Sequence, residues 1–341
     1  MFYLRFFVFL WHGRHHVKNE PNRCNHIFIM TTSNAATVRL SIVIITYNRP
    51  DDVVELAESI KMQKGAAQLL DEVIIVNNQS AVSYQRLEQF IAGNPSLPFH
   101  YIVADENLGV SKGRNFAARL CKSEVMVFID DDAVFQNEDA ITNIAALFTA
   151  QNNDRRKLGI VSFKVLYYAT GDYQQNAFPH KKFNQKKDLH DFETYYYTGC
   201  AHAINKKVFD HVGYYPENFF YGMEEYDLSY RTINEGYSIR YDDSAVILHK
   251  ESPLGRLRSG EQLRQMWVNK CKIAWKYLPK KYFYSTAFMW TFEYLQKTKF
   301  DIAGCFKGWT AIKKIPKEEI RTPVTKECLA YLKQVEARLY Y

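Results

Sequence analysis

Residues Val125–Ala133 read VMVFIDDDA: five apolar residues followed at once by Asp130, Asp131 and Asp132. A short apolar run with no polar alternation fits a strand buried on both faces, as in a parallel sheet covered by helices. Open α/β sheets bind their ligands beyond the carboxyl ends of such strands, and this run puts three carboxylates there. Three like charges in a row repel, and they stay ionised together beside a cation or in water. Hard oxygen donors of this kind suit Mg²⁺ or Mn²⁺. A solvated acidic turn is the other reading of the same residues; the buried strand in front of them favours the metal site.

The surrounding chain repeats the strand-to-helix rhythm. Arg39–Thr46 reads as a strand, and Pro50 with Asp51 opens a helix to Lys61, proline and acids being favoured in a first turn. Glu72–Val76 is a strand, Tyr84–Ala92 a helix, Phe99–Ala104 a strand and Ser111–Lys122 a helix. This alternation predicts an α/β, doubly wound, mostly parallel sheet. After Asp132 the pattern is less regular. Helix is expected at Glu138–Ala150, Lys206–Val212 and Glu224–Glu235. Strand is expected at Leu158–Tyr168, Tyr195–Ile204, Ser238–Tyr241 and Ala245–His249. The polar stretch Gly171–Thr194 reads as a long loop, of the kind that serves as a binding element or lid. Three regions follow: an unassigned extension over residues 1–37, a catalytic body over 38–255 with halves meeting near residue 132, and a helical region over 256–341.

Charge divides along the same line. The chain carries +7 overall, residues 250–341 contributing +11 and residues 1–249 contributing −4. A basic terminal region points to an anionic partner. Its lysines are interleaved with Phe, Trp and Tyr, a pattern that suits a membrane surface better than nucleic acid. Within it, Ser259–Lys276 predicts a helix, and Lys281–Phe300 predicts either an interfacial amphipathic helix or one packed on the body, because Glu293 and Lys297 interrupt any span. The apolar stretch Phe2–Trp11 is too short to cross a bilayer and lacks an early positive charge and cleavage site. It reads as a weak anchor or as an extension upstream of Met30. The six cysteines form no CxxC or Cys/His metal spacing, which fits reduced thiols and a cytoplasmic setting.

Several segments taken in order resemble the family 2 nucleotide-sugar glycosyltransferases of the GT-A fold. They are SIVIITYNR at Ser41–Arg49, ENLGVSKGRN at Glu106–Asn115, the aspartate run, TGCAHAINKKVFDHVGYYPENFF from Thr198, EEYDLSYRTINEGY from Glu224, and HKES from His249. The resemblance covers about Leu40 to His249 and is nearest to rhamnosyl- and galactofuranosyl-transferases that add one sugar. It implies a nucleotide-sugar site drawn from Thr46, Tyr47, Asn48, Arg49, Asn77, Asn78, Gly109, Lys112, Arg114, Asp130 and Asp131. Lys112 and Arg114 would meet phosphate near a helix N-terminus. Asn77 stands where the family usually has Asp, and Asn both donates and accepts. The resemblance also implies a metal site of Asp130, Asp132 and His249 for Mn²⁺ or Mg²⁺. It places a general base on the second acid of Glu224–Glu225, with Asp227 one turn on to cap or orient. Glu225 stands where Asp is usual. The expected activity is inverting, metal-dependent transfer of a single sugar from a nucleotide-sugar donor to a glycan or glycolipid acceptor, as in polysaccharide biosynthesis, peripheral to the inner face of the membrane.

Three other readings were weighed. A processive synthase carries membrane spans and Gln-x-x-Arg-Trp, whereas Gln262–Trp267 reads QLRQMW. A nucleotidyltransferase has a glycine-rich loop after its first strand, where this chain has Tyr47-Asn48-Arg49-Pro50. A non-catalytic nucleotide- or glycan-binding protein is the alternative that Asn77 and Glu225 keep open.

Overall fold

The computed structural model describes residues 38–150, 156–219, 222–251 and 259–340. The apolar N-terminal stretch Phe2–Trp11 lies outside them. Four parallel strands, β1 (Leu40–Thr46), β2 (Leu70–Asn77), β3 (Phe99–Val103) and β4 (Val125–Ile129), are ordered β3-β2-β1-β4. Between them run α1 (Pro50–Lys61), α2 (Ala66–Leu69), α3 (Gln85–Ala92) and α4 (Gly109–Leu120). Side chains alternate across the sheet, so each strand feeds two cores. Leu40, Ile42 and Ile44 of β1 pack with Val53, Leu56 and Ile60 of α1. Val43 between them joins Ala117 and Ala118 of α4 on the opposite face. Such double cover explains the unbroken apolar runs of these strands.

Beyond β4 come β5 (Ala133–Phe135), α5 (Ala140–Thr149), β6 (Lys157–Tyr167), α6 (Phe183–Lys186), β7 (Asp191–Thr194), β8 (Ala201–Asn205), α7 (Lys206–Val212), α8 (Glu224–Asn234) and β9 (Tyr237–His249). The sheet continues β4-β8-β6-β9-β5, with β8 antiparallel to both neighbours and β6 parallel to β9. β7 and β5 share the outer edge of β9, each antiparallel to a different half of it. The longest ladders, β6–β9 and β1–β2, are parallel, so the fold is α/β with a mostly parallel sheet.

Three expectations change on this half. The two strands expected at Ser238–Tyr241 and Ala245–His249 are one strand, β9. Asp242, Asp243 and Ser244 form a bulge, where the register along β6 jumps from Asp242 to Val246 and Asp242 Oδ1 accepts from the Ser244 N–H at 3.0 Å. Gly171–Thr194 is not one loop. It holds a 3₁₀ turn at Gln175–Ala177, α6 and β7, gathered around Phe178, Phe183, Phe192 and Tyr241. Strand structure over Tyr195–Ile204 begins only at Ala201, and the residues before it cross the ends of the strands.

The C-terminal region is α9 (Ser259–Tyr277), α10 (Lys280–Lys297), α11 (Ile302–Glu318) and α12 (Lys326–Gln334). The last two fall within the region read as helical, without bounds of their own in the sequence reading. Trp267, Tyr294, Ile312 and Leu332 extend the α4 and α8 core into this region. No helix among the described residues is long and apolar enough to cross a membrane.

Candidate active site

A tight turn between β4 and β5 separates the three aspartates: the Ala133 N–H donates to the Asp130 carbonyl at 3.1 Å, with Asp131 and Asp132 inside the turn. Asp130 follows β4 and is held by its backbone N–H, which donates to the Cys200 carbonyl at 2.8 Å. Asp131 faces the end of β1. It accepts from Arg49 Nη1 at 2.8 Å and from the Tyr47 N–H at 3.3 Å. Burial raises its pKa and the Asp132 charge adds to this; against the pull of Arg49 and Thr46 it is pushed up to about 7. Asp132 is buried, with Oδ1 3.2 Å from His249 Nε2 and Oδ2 3.2 Å from Arg49 Nη1.

A short strand explains how residues far apart in sequence meet. The β5–β9 register sets Ala133 opposite His249, so Asp132, one residue earlier, lies beside the imidazole. The Lys250 N–H donates to the Asp132 carbonyl at 2.9 Å and closes the corner. Ligand atoms of Asp130, Asp132 and His249 lie within 4.8 Å of one another. Gln174 orients the ring: its Nε2 donates to Glu251 Oε1 at 2.7 Å, so its Oε1 faces His249 Nδ1 at 2.9 Å. That bond places a hydrogen on Nδ1 and turns Nε2 to the carboxylates, as in metal-binding histidines. Burial works to lower the His249 pKa. Hydrogen bonds to Asp132 and Cys200 and the Asp130 charge outweigh it and push it up to about 11. A proton on Nε2 and a cation at the cluster are therefore competitors for one position.

Glu224 and Glu225 begin α8 after two left-handed residues, Gly222 (φ 74°) and Met223 (φ 75°). The second is unusual for a residue with a side chain and costs about 1–2 kcal/mol. Asn269 of α9 pins the turn by donating to the Gly222 carbonyl at 3.0 Å. Both glutamates face Arg114, whose Nη1 lies 3.3 Å from Glu224 and 3.7 Å from Glu225. Its Nη2 donates to Asp130 at 3.1 Å and to the Gly199 carbonyl at 2.8 Å. Arg114 thus bridges the aspartate cluster and the paired glutamates, 7% exposed and lying 5.8 Å from the Tyr215 ring centroid. Desolvation works to lower its pKa, but the surrounding carboxylates hold it well above the usual arginine value. Burial, then the Glu224 charge, raises the Glu225 pKa to about 8, with Arg114 opposing. The Glu225 side chain keeps 17% exposure, against 4% for Glu224. Gly199 makes room for it, since a Cβ there would collide with Glu225 Oε1.

The other named residues fall into two groups. Thr46, Asn48, Asn77 and Asn78 form a polar rim over the β1 and β2 ends, each tied to its own neighbours. Thr46 Oγ1 and the Tyr84 hydroxyl lie 2.8 Å apart, and the Asn48 N–H donates to Ser80 at 2.8 Å. Asn77 donates to the Tyr101 hydroxyl at 2.7 Å and accepts from the Ser80 N–H at 2.8 Å. Asn78 accepts from the Leu108 N–H at 2.9 Å and donates to the Gly109 carbonyl at 3.3 Å, fixing the entry to α4. Lys112 on that first turn is exposed. One placement differs from expectation. Arg114, expected at phosphate, is buried among carboxylates because its position on α4 faces the core. Asp227, set by the resemblance to cap or orient beside the catalytic pair, accepts from Arg231 at 2.7 Å, Lys276 at 2.6 Å and Tyr277 at 2.8 Å, and so ties α8 to α9. Burial works to raise its pKa, and these cations hold it below the usual aspartate value. Gln174, Gly199 and Tyr215 were not singled out. Two lie in segments quoted for the resemblance, and Gln174 sits in the stretch read as loop.

Comparison with known proteins adds three findings. The family model described as "Glycosyl transferase family 2" matches residues 41–213. The "Uncharacterized glycosyltransferase YwdF" of Bacillus subtilis is 24% identical over 238 residues, 66% of this chain and 78% of its own. The "O-antigen chain rhamnosyltransferase WbaN" of Salmonella anatum is 25% identical over 141 residues, 38% of this chain and 42% of its own. Two solved structures share the fold. One is the mannosyltransferase PcManGT of Pyrobaculum calidifontis with GDP-Man and Mn²⁺ (TM-score 0.55, 17% identity, 87% of this chain and 79% of that one). The other is S. aureus TarS 1-349 with UDP-GlcNAc (TM-score 0.56, 16% identity, 86% and 83%).

Proposed function

The chain belongs to the family 2 glycosyltransferases, and from that premise we propose that it is an inverting, metal-dependent enzyme that moves one sugar from a nucleotide sugar to a glycan or glycolipid acceptor. One observation supports the reading: Asp130 and Glu225 lie against the two terminal nitrogens of one guanidinium, Arg114, at 3.1 and 3.7 Å, which brings the candidate cation ligands near the candidate base. Asp130, Asp132 and His249 are the residues that would hold the cation. Carboxylates suit Mn²⁺ or Mg²⁺, and the imidazole favours the softer Mn²⁺. A divalent cation there supplies the charge that a departing nucleoside diphosphate needs.

The chain's own residues do the rest. Glu225 takes the proton of the acceptor hydroxyl as that oxygen bonds to the anomeric carbon and the bond to the diphosphate breaks. Attack from the face opposite the leaving group inverts that carbon. Glu224 raises the proton affinity of its neighbour, and Arg114 opposes that rise. Thr46, Tyr47, Asn48, Arg49, Asn77, Asn78 and Gly109 border the nucleoside, and exposed Lys112 offers a cation for phosphate. The donor class is the one held by the two solved structures above, and WbaN points to surface-polysaccharide synthesis. The enzyme works peripherally, at the inner face of the membrane, with the basic terminal region against it.

The test is a panel of UDP-, dTDP- and GDP-sugars with Mn²⁺, reading released nucleoside diphosphate with and without EDTA. Release from one donor, lost with EDTA and regained with Mn²⁺, is expected. Release that EDTA leaves unchanged overturns the metal assignment, and silence across the panel overturns the donor class.

A further inference from the structure

Helix α10 has apolar residues all round, a property of helices that are buried or meet lipid. One side is accounted for, since Phe283, Ala287, Trp290 and Tyr294 pack into the core. The other side is not. Tyr284, Phe288 and Phe292 recur every fourth residue and face solvent, and Phe300, Ile302 and Phe306 continue the exposure through the turn into α11. These six are between 52% and 72% exposed. All four exposed phenylalanines among the described residues lie between Phe288 and Phe306, so the exposure is a feature of one hairpin and not scatter over the surface. At the turn, Lys299 and Phe300 both adopt left-handed backbone (φ 53° and 66°), a conformation unfavourable for residues with side chains, and it presents the Phe300 ring outward.

The charge around these rings is mostly positive. Lys280 to Glu318 contains eight lysines and three acids. All eight lysines are exposed, while Glu293 pairs with Lys297 and Asp301 caps α11 by accepting from the Gly304 N–H. The hairpin is rigidly attached: Trp309 Nε1 donates to Thr291 at 3.1 Å, and Gly308 sits against the Trp267 ring. Aromatic rings flanked by lysines, on helices too polar to span, match the interface of a bilayer with anionic headgroups.

We propose that the α10–α11 hairpin is the surface by which this protein docks on a lipid bilayer carrying anionic headgroups. The rings enter the interface and the lysines meet the phosphates. The docking is separate from the transfer chemistry and does not need it, although it names the contact through which a peripheral enzyme would be held.

The test is co-sedimentation of the full chain with vesicles of phosphatidylcholine and with vesicles containing added phosphatidylglycerol. Wild type is expected to bind the mixed vesicles, and less at high salt. Replacing Phe288, Phe292, Phe300 and Phe306 with Ser should weaken partitioning by about tenfold for each ring that inserts. The charge variant K299E/K307E/K314E should lose the preference for phosphatidylglycerol. Thermal unfolding and nucleotide release from a soluble donor should stay at wild-type values in both, which separates failure of docking from failure of the enzyme reading. No vesicle binding by wild type, or equal binding by the serine variant, overturns the proposal. So does a dimer in light scattering that the serine variant breaks while vesicles are ignored, because a second copy would then be the occupant.

Discussion

The molecule has two acidic clusters, Asp130–Asp132 after a strand and Glu224–Asp227 at the start of a helix, and they are assembled differently. After β4 a tight turn, closed by the Ala133 N–H on the Asp130 carbonyl, brings Asp130 and Asp132 to His249, while Arg49 reaches both Asp131 and Asp132. At α8 a left-handed turn presents Glu224 and Glu225 to Arg114, and Asp227, one turn on, is taken by Lys276, Arg231 and Tyr277 of the α8–α9 junction. Sequence adjacency identifies a cluster, and the local turn that carries it decides which partners each member meets.

That contrast can be broken by substitution. Asp132→Ala removes a carboxylate that ties His249 to the cluster. It is expected to reduce nucleotide release by at least about 10³-fold, a metal-assisted step being worth several kcal/mol. Glu225→Gln removes only the base and is expected to cost about 10²–10⁴ in transfer rate, with thermal stability near wild type. If Glu225→Gln turns over normally while Glu224→Gln does not, the roles of the pair are exchanged.

Asp227→Asn should show the opposite profile. Leaving Lys276 and Arg231 without their carboxylate is expected to lower stability by about 3 kcal/mol in denaturant melts, while the folded fraction keeps its rate. The sign with pH follows from the lowered pKa of Asp227. Its stabilising contribution is present above the pKa of the unfolded aspartate, near about 4, and fades as pH falls through the still lower folded value. A loss of rate at unchanged stability would place Asp227 with the catalytic acids after all.

The smallest effect concerns pH. Because Glu225 must be ionised to accept a proton and its pKa is pushed up to about 8, the transfer rate should climb through the neutral range toward that value. Removing the neighbouring charge with Glu224→Gln should move this acid limb to lower pH. A limb that stays in place in a pH–rate profile would show that the two carboxylates are not coupled.

Much of the first half was legible in the chain. Its strands are buried on both faces, which leaves uninterrupted apolar runs, and polar residues collect where those runs stop. The aspartate run and the helix from Pro50 could be read this way. The second half was less legible. Three-residue β5 is too short to leave a periodic signal, yet its register is what sets Asp132 against His249. The bulge in β9 looks like a break because Asp242, Asp243 and Ser244 interrupt the apolar pattern. Gln174 looks like one polar residue among many until β9 brings it to the imidazole.

By itself the sequence determined the alternation of the sheet, the identity of the acids and the basic, aromatic character of the terminal region, since these depend on local period and composition. Only the tertiary structure decided that Arg114 serves the carboxylates, that Asp227 holds two helices together, and that one side of α10 is left bare. Those outcomes depend on which charges and faces meet between separate elements, up to 110 residues apart for Arg114 and Glu224, and a side chain's partner there is set by register and packing, which neighbouring letters do not encode.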